Sequence, residues 1–230
     1  MDPKTALIVG VGSGLSASLA RLFAKHGLQV ALASRNPDRL AKLAEETAAA
    51  TFACEATEPE EVAALFDVVV ATQGAPDIVV YNASARARGP VTDLDPAEVA
   101  QAINVSAYGG FLVAQQAARL MVARGSGAIL LTGASASVKG YPNSSAFAMG
   151  KFALRGLAQS LARELQPKGV HVAHFVIDGG IRSASRAEPA DNPDSLLDPD
   201  AIAETYWQVA MQPRSAWTWE VELRPWVERF

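Results

Sequence analysis

The chain has 230 residues, of which half are hydrophobic, and a formal net charge of −4. This composition predicts a single globular domain over residues 1–230, long enough to bury a sizeable core. The weak charge, without a lysine- or arginine-rich run, excludes nucleic acids and anionic membranes as expected partners. The single cysteine, Cys54, rules out an internal disulfide. Together with an N-terminus unlike a signal peptide, it favours a cytoplasmic location.

Short apolar segments alternate with longer segments of helical periodicity. The predicted strands are Ala6–Val9, Gln29–Ala33, Thr51–Cys54, Asp77–Tyr81, Gly127–Leu131 and Gly169–Ile177. The predicted helices are Leu15–Lys25, Asp38–Ala49, Pro59–Gln73, Pro96–Arg124 and Ser144–Gln166. This alternation predicts a doubly wound α/β domain, whose parallel sheet lies between two layers of helices. Its ligand is expected beyond the carboxyl ends of the strands.

A glycine-rich segment joins the first strand to the first helix, and it reads Gly10, Val11, Gly12, Ser13, Gly14, Leu15. Glycines let the backbone turn tightly and approach a pyrophosphate, which the helix N-terminus attracts. Ordinary strand-to-helix turns also contain glycine. The position at the first junction of the fold favours a dinucleotide cofactor.

The turn after the second strand indicates which cofactor is preferred. An enzyme that prefers NAD usually has an acidic residue here, which binds the ribose 2′-hydroxyl. Ala33–Asn36 contains no acidic residue, and Arg35 is placed to meet a 2′-phosphate. Arg35 is otherwise a solvated surface arginine. The combination predicts NADP(H), with NAD(H) less favoured.

The segment 129–154 contains an apolar strand, a loop of small residues and a helix with Phe147 and Lys151 on one face. It resembles the active-site segment of the short-chain dehydrogenases/reductases, where the helix carries Tyr-x-x-x-Lys and a serine lies thirteen residues before the tyrosine. Lys151 matches that lysine. Phe147 and Ala134 stand at the tyrosine and serine positions, and neither can exchange a proton.

The resemblance covers residues 5–183 and implies a Rossmann-like NAD(P)-binding domain. Gly10 and Gly14 match the family's Thr-Gly-x-x-x-Gly-x-Gly, whereas Ser16 replaces its last glycine and is expected to crowd the helix without abolishing the site. The resemblance also implies further cofactor contacts on both sides of the dinucleotide. These are Asn82 and Ala83 on the adenosine side, Glu55 near the adenine (or else a surface carboxylate), and Gly179, Ile181 and Ser183 near the nicotinamide.

Three further polar residues are candidate catalytic groups. Asn104 matches an asparagine that helps to hold a water chain beside the lysine in this family, and is otherwise a polar interruption in a buried helix. Asp178 stands where the family has a proline, and it is either a loop cap or an ionisable acid near the nicotinamide. Tyr141 is either loop packing or a phenol in the substrate pocket. His171 and His174 lack zinc-ligand spacing, so no metal site is expected.

The end of the chain departs from the family pattern. Residues 184–200 contain three prolines and are predicted to form a lid over the site. Ala201–Met211 is predicted to be a helix, and residues 216–225 alternate in the manner of a final strand. The family resemblance, through the two longest predicted helices, implies a homodimer or homotetramer.

Two functional hypotheses follow. The first is an NADP(H)-dependent oxidoreductase that acts on a small carbonyl, imine or activated alkene and takes its proton from Tyr141, Asp178 or water. The second is an NADP-binding sensor or partner subunit without turnover. Lys151 does not separate them, because it can bind ribose hydroxyls in either case.

Overall fold

The computed structural model describes residues 2–183 and 185–228. Within that part of the chain, seven parallel strands form one sheet in the order β3-β2-β1-β4-β5-β6-β9, and β7 and β8 pair separately. The strands are β1 Thr5–Val9, β2 Gln29–Ser34, β3 Ala50–Ala53, β4 Ile78–Tyr81, β5 Gly127–Thr132, β6 Val170–Ile177, β7 Gly180–Ile181, β8 Leu196–Leu197 and β9 Glu220–Leu223. The predicted doubly wound α/β fold is confirmed.

The helices cover both faces of the sheet. They are α1 Leu15–Lys25, α2 Ala41–Thr47, α3 Pro59–Gln73, α4 Pro96–Ile103, α5 Gly109–Arg124, α6 Ser145–Leu165 and α7 Pro199–Ala210. The predicted helix Asp38–Ala49 is instead a 3₁₀ turn, Pro37–Leu40, followed by α2. The predicted helix Pro96–Arg124 contains a π-helical segment, Asn104–Tyr108, between α4 and α5.

Successive side chains of each strand point to opposite faces, so the sheet supports two hydrophobic clusters. On one face Ile8, Leu32 and Val80 pack with α1 and α7. On the other, Leu7 and Val79 pack with α3, α5 and α6. No helix in the described residues is both long enough and apolar enough to cross a membrane. Because the seven strands of the sheet are parallel, their carboxyl ends meet along one edge. The candidate site lies at that edge.

The edge strand β9 is joined to β6 and to α6 through a partly buried carboxylate, that of Glu220. Arg155 of α6 donates two hydrogen bonds to Glu220 of β9, at 2.6 and 2.8 Å. The same carboxylate also contacts β6, because His174 Nδ1 lies 3.0 Å from Glu220 Oε2. His171 is also fully buried, stacks on Trp217 and bonds to a backbone carbonyl. Both histidines thus serve the packing of the last strand.

Gly133, directly after β5, is packed too closely for a side chain. A Cβ there would lie 2.2 Å from His174 Nε2 and 2.8 Å from the carbonyl oxygen of Phe175. We expect Gly133→Ala to lower the free energy of unfolding by about 1–3 kcal/mol, because the strand must shift to admit the methyl group. Urea unfolding measures this change.

Gly156→Ala is the matched control. Gly156 lies in the interior of α6, and a Cβ there would have no atom within 4 Å. Alanine should raise stability by about 0.5–1 kcal/mol through its higher helix propensity. Equal effects of the two substitutions would contradict the described packing around Gly133.

Candidate active site

The glycine loop forms a turn that requires glycine at its first position. Gly10 has φ +86°, and a Cβ there would lie 2.3 Å from the backbone nitrogen of Ala83. Ser16 does not merely crowd the helix: its buried hydroxyl donates to the carbonyl of Gly10 at 3.2 Å and accepts from Asn82 Nδ2 at 2.7 Å. The replacement of the family glycine therefore ties the loop to the end of β4.

Two cavities share the glycine loop as a wall, and together they bring most predicted cofactor residues to one place. The first, of about 380 Å³, is lined by Gly10, Gly12, Ser13, Gly14, Leu15, Ser16, Asn82, Ile181, Ser183, Ser185 and Arg186. The second, of about 1120 Å³, also contains Gly10, Gly12, Ser13 and Asn82 and extends to Arg35, Glu55 and Ala83. Gly179 lines neither cavity and instead packs against Pro225 and Leu197.

The far end of the larger cavity is basic. The side chain of Arg35 is 77% exposed, and its Nη1 lies 4.0 Å from Glu55 Oε2. Arg39 and Lys42 line the same cavity, although the sequence analysis did not select them. Arg39 lies in the short 3₁₀ turn Pro37–Leu40, four residues after Arg35. That spacing was the signal in the sequence that could have identified Arg39 as a second phosphate-binding residue. These cations form a site suited to a phosphate.

Lys151 is buried at the carboxyl end of β5. It is 3% exposed, and its Nζ donates to the carbonyl oxygen of Thr132 at 2.7 Å. Burial, reinforced by the charge of Arg86, lowers the pKa of Lys151 to about 7. An amine with this pKa can both hold and release a proton near neutral pH.

Phe147 has two basic side chains near its ring. Its side chain is buried, the guanidinium carbon of Arg86 is 4.0 Å from the ring centroid, and Lys151 Nζ is 5.8 Å from it. Arg86 was not selected from the sequence, because it follows β4 in a loop without a recognised motif. The position of the family tyrosine is thus apolar itself but has two basic groups near its ring.

The turn after Ala134 contains two serines, Ser135, which is half-buried, and Ser137. The nearby Ser137 is fully buried, and its Oγ accepts a hydrogen bond from the backbone nitrogen of Ala134 at 3.1 Å. This hydroxyl is directed at the loop backbone and stabilises the turn after β5. It does not supply the function of the missing serine.

Two of the three polar candidates, Asp178 and Tyr141, lie beside Lys139. Asp178 Oδ2 lies 3.3 Å from Lys139 Nζ and 3.4 Å from Arg224 Nη2, so the carboxylate of Asp178 forms two ion pairs. Tyr141 is 42% exposed and lies beside Lys139. Neither arrangement supports the proposed role as acid.

Asn104 lies at the junction of α4 and the π-helical segment. It is exposed at the start of the π-helical segment. Two residues later Ser106 is fully buried, and a Cβ on Gly150 of α6 would lie 2.7 Å from Ser106 Cβ. Ser106 therefore packs closely against α6, and the catalytic role of Asn104 stays a prediction.

The fold and the glycine-loop cavities define an α/β protein of the nucleotide-binding class. The model of the short chain dehydrogenase family matches residues 4–193. The chain therefore belongs to the short-chain dehydrogenase family of oxidoreductases.

Individual relatives resemble almost the whole chain. An uncharacterised oxidoreductase of Staphylococcus aureus (strain N315) is 29% identical over 231 residues, covering 98% of both chains. The crystal structure of a short-chain dehydrogenase from Rhodopseudomonas palustris is 34% identical with a TM-score of 0.85, covering 97% of this chain and 99% of that one. A metagenomic short-chain oxidoreductase, solved in complex with NADP, is 27% identical with a TM-score of 0.83, covering 96% and 97%.

The lowered pKa of Lys151 predicts a pH-dependent effect on stability. Between about pH 7 and the ordinary lysine pKa of 10.5, the unfolded chain binds more protons than the folded chain, so stability rises with pH in this window. The cost of the buried charge is therefore largest below pH 7. We expect the Tm of Lys151→Met minus the Tm of the parent to be more positive at pH 6 than at pH 10.

Lys168→Met is the control, since Lys168 is exposed just after α6. Its Tm difference from the parent should vary little between the two pH values. If the Tm difference between Lys151→Met and the parent also varies little between pH 6 and pH 10, burial does not lower the pKa of Lys151.

Proposed function

We propose that the chain is an NADP(H)-dependent oxidoreductase that reduces the carbonyl, imine or activated carbon–carbon double bond of a small molecule, with Lys151 as the proton donor. The observation that carries this proposal is Lys151 itself, a buried amine with a pKa of about 7 beside the position of the missing tyrosine. Lys151 replaces Tyr141 and Asp178 as the preferred donor, because of the geometry of those two residues.

The residues present fit a bound NADP(H). Gly10 leaves room for a close approach of the backbone, the glycine loop lines both cavities, and Arg35 with Arg39 offers cations for a 2′-phosphate. The bound cofactor supplies hydride chemistry. The carbonyl of Thr132 holds Lys151 Nζ in place, and the ammonium provides the proton that a reduced oxygen or nitrogen needs.

The second hypothesis is an NADP-binding sensor or partner subunit without turnover. The observation in its favour is that Phe147 and Ala134 remove both hydroxyls of the family pattern, while Lys151 already donates to Thr132. In that case the cations near Phe147 would only help to bind the cofactor. Turnover separates the two hypotheses.

The test is NADPH oxidation with a panel of activated ketones, cyclic imines and enones. We expect the parent to reduce at least one class, and its kcat to fall as pH rises through the pKa of Lys151, because the donor must be protonated. Lys151→Met should lower kcat by about 10²–10⁴-fold and remove this pH dependence. Binding of NADPH without turnover of any class would favour the sensor.

Arg35 provides a separate test of cofactor preference. If it binds the 2′-phosphate, the parent should prefer NADPH, and Arg35→Ala should weaken NADPH by about tenfold, or roughly 1.5 kcal/mol, while NADH binding stays nearly unchanged. Cofactor fluorescence measures both affinities.

Arg119→Ala is the matched control, because Arg119 is an exposed arginine on α5 whose described side-chain partner is Gln116. It should leave both affinities unchanged. Equal affinity of the parent for NADPH and NADH would reject the assigned role of Arg35.

A further inference from the structure

Three arginines lie near one another, and one of them contacts Phe147. Arg86 and Arg88 lie in the loop after β4, and Arg186 follows β7 and lines the cavity at the glycine loop. Arg86 lies over the Phe147 ring at 4.0 Å. All three residues are exposed. Partial desolvation of the Arg86 guanidinium, followed by the charges of Arg88 and Arg186, lowers the pKa of Arg86. We call these three residues the arginine cluster.

The arginine cluster lacks a counter-charge in the part of the chain that the structure describes. None of its members forms an ion pair with a carboxylate there. By contrast, Arg21, Arg155 and Arg182 each pair with an acidic residue. Like charges held close together repel, and a bound anion removes that cost.

The position of Arg86 relates this counter-charge to the reaction. Its guanidinium stacks on the ring that replaces the family tyrosine, and Lys151 is on the same ring at 5.8 Å. A ligand group bound to Arg86 would therefore be close to the atoms that receive a proton. A guanidinium offers a planar pair of donors that matches a carboxylate in bidentate geometry.

We propose that the arginine cluster binds the carboxylate of the substrate, so that the substrate is an anion whose carboxylate is next to the carbonyl, imine or alkene that is reduced. The proposal rests on the proposed function for the identity of the ligand as substrate. Arg86 is the residue that contacts the carboxylate, while Arg88 and Arg186 add to the positive field. The competing anion is the cofactor's own pyrophosphate, which Arg186 is placed to approach at the glycine loop.

The test compares an acid with its neutral ester. Benzoylformate and methyl benzoylformate share the ketone and the phenyl ring and differ in the charge next to the ketone. Calorimetric titration of the full chain, saturated with NADP⁺, should give a Kd for benzoylformate at least tenfold lower than for the ester. Arg86→Gln should remove this preference, and Arg86→Lys should retain part of it because it keeps the charge.

The control variant is Arg163→Gln. Arg163 is exposed on α6 and lies 16 residues beyond Phe147, or roughly 24 Å along the helix axis, at about 1.5 Å per residue. It should bind both compounds as the parent does. The affinity for NADP⁺ is measured in every variant, and Arg86→Gln should leave it unchanged.

Three results would overturn the proposal. In the first, the parent binds the acid no better than the ester, or binds neither compound. In the second, Arg86→Gln keeps the preference for the acid. In the third, Arg86→Gln lowers the affinity for NADP⁺ as strongly as the affinity for benzoylformate, which assigns the cluster to the cofactor. Failure of the proposed function looks different. Benzoylformate would then bind through Arg86 and yet no compound in the reduction panel would oxidise NADPH.

Discussion

The burial of a lysine at the carboxyl end of β5 is the constraint around which the site is arranged. Lys151 keeps one hydrogen bond, to Thr132, and the hydroxyl of Thr132 lies 2.9 Å from that of Tyr206 on α7. Behind it, burial lowers the pKa of His174 to about 4, and the charge of Lys151 contributes to that shift. His174 is therefore neutral near pH 7 and adds no positive charge beside the lysine.

The loss of the tyrosine changes the site's chemistry more than its shape. Phe147 keeps an aromatic ring at the expected place on α6, and two basic groups lie near that ring. Lys151 has a pKa of about 7, well below the ordinary lysine value, and Arg86 stacks on the ring. An arginine stabilises negative charge yet does not release a proton in this pH range. The division of roles follows: Lys151 handles the proton, and Arg86 handles the anion.

The sequence predicted those parts of the site that depend on local pattern. Periodicity located the main strands, and the glycine loop at Gly10 marked the cofactor cavity. The rest depended on contacts that periodicity does not contain. The π-helical segment interrupts the predicted helix Pro96–Arg124, and Asp178 pairs with Arg224, which is distant in the chain. Arg86 reaches Phe147 from a loop without a motif.

The most direct test of the account is the pKa of Lys151, measured by NMR from the ¹³Cε shift of labelled lysine in the complex with NADP⁺. Lys151→Met assigns the signal. The account predicts a titration midpoint near 7, well below the ordinary lysine value of about 10.4. A midpoint that stays at or above the ordinary value would contradict it, because such an ammonium would be a poor proton donor at neutral pH.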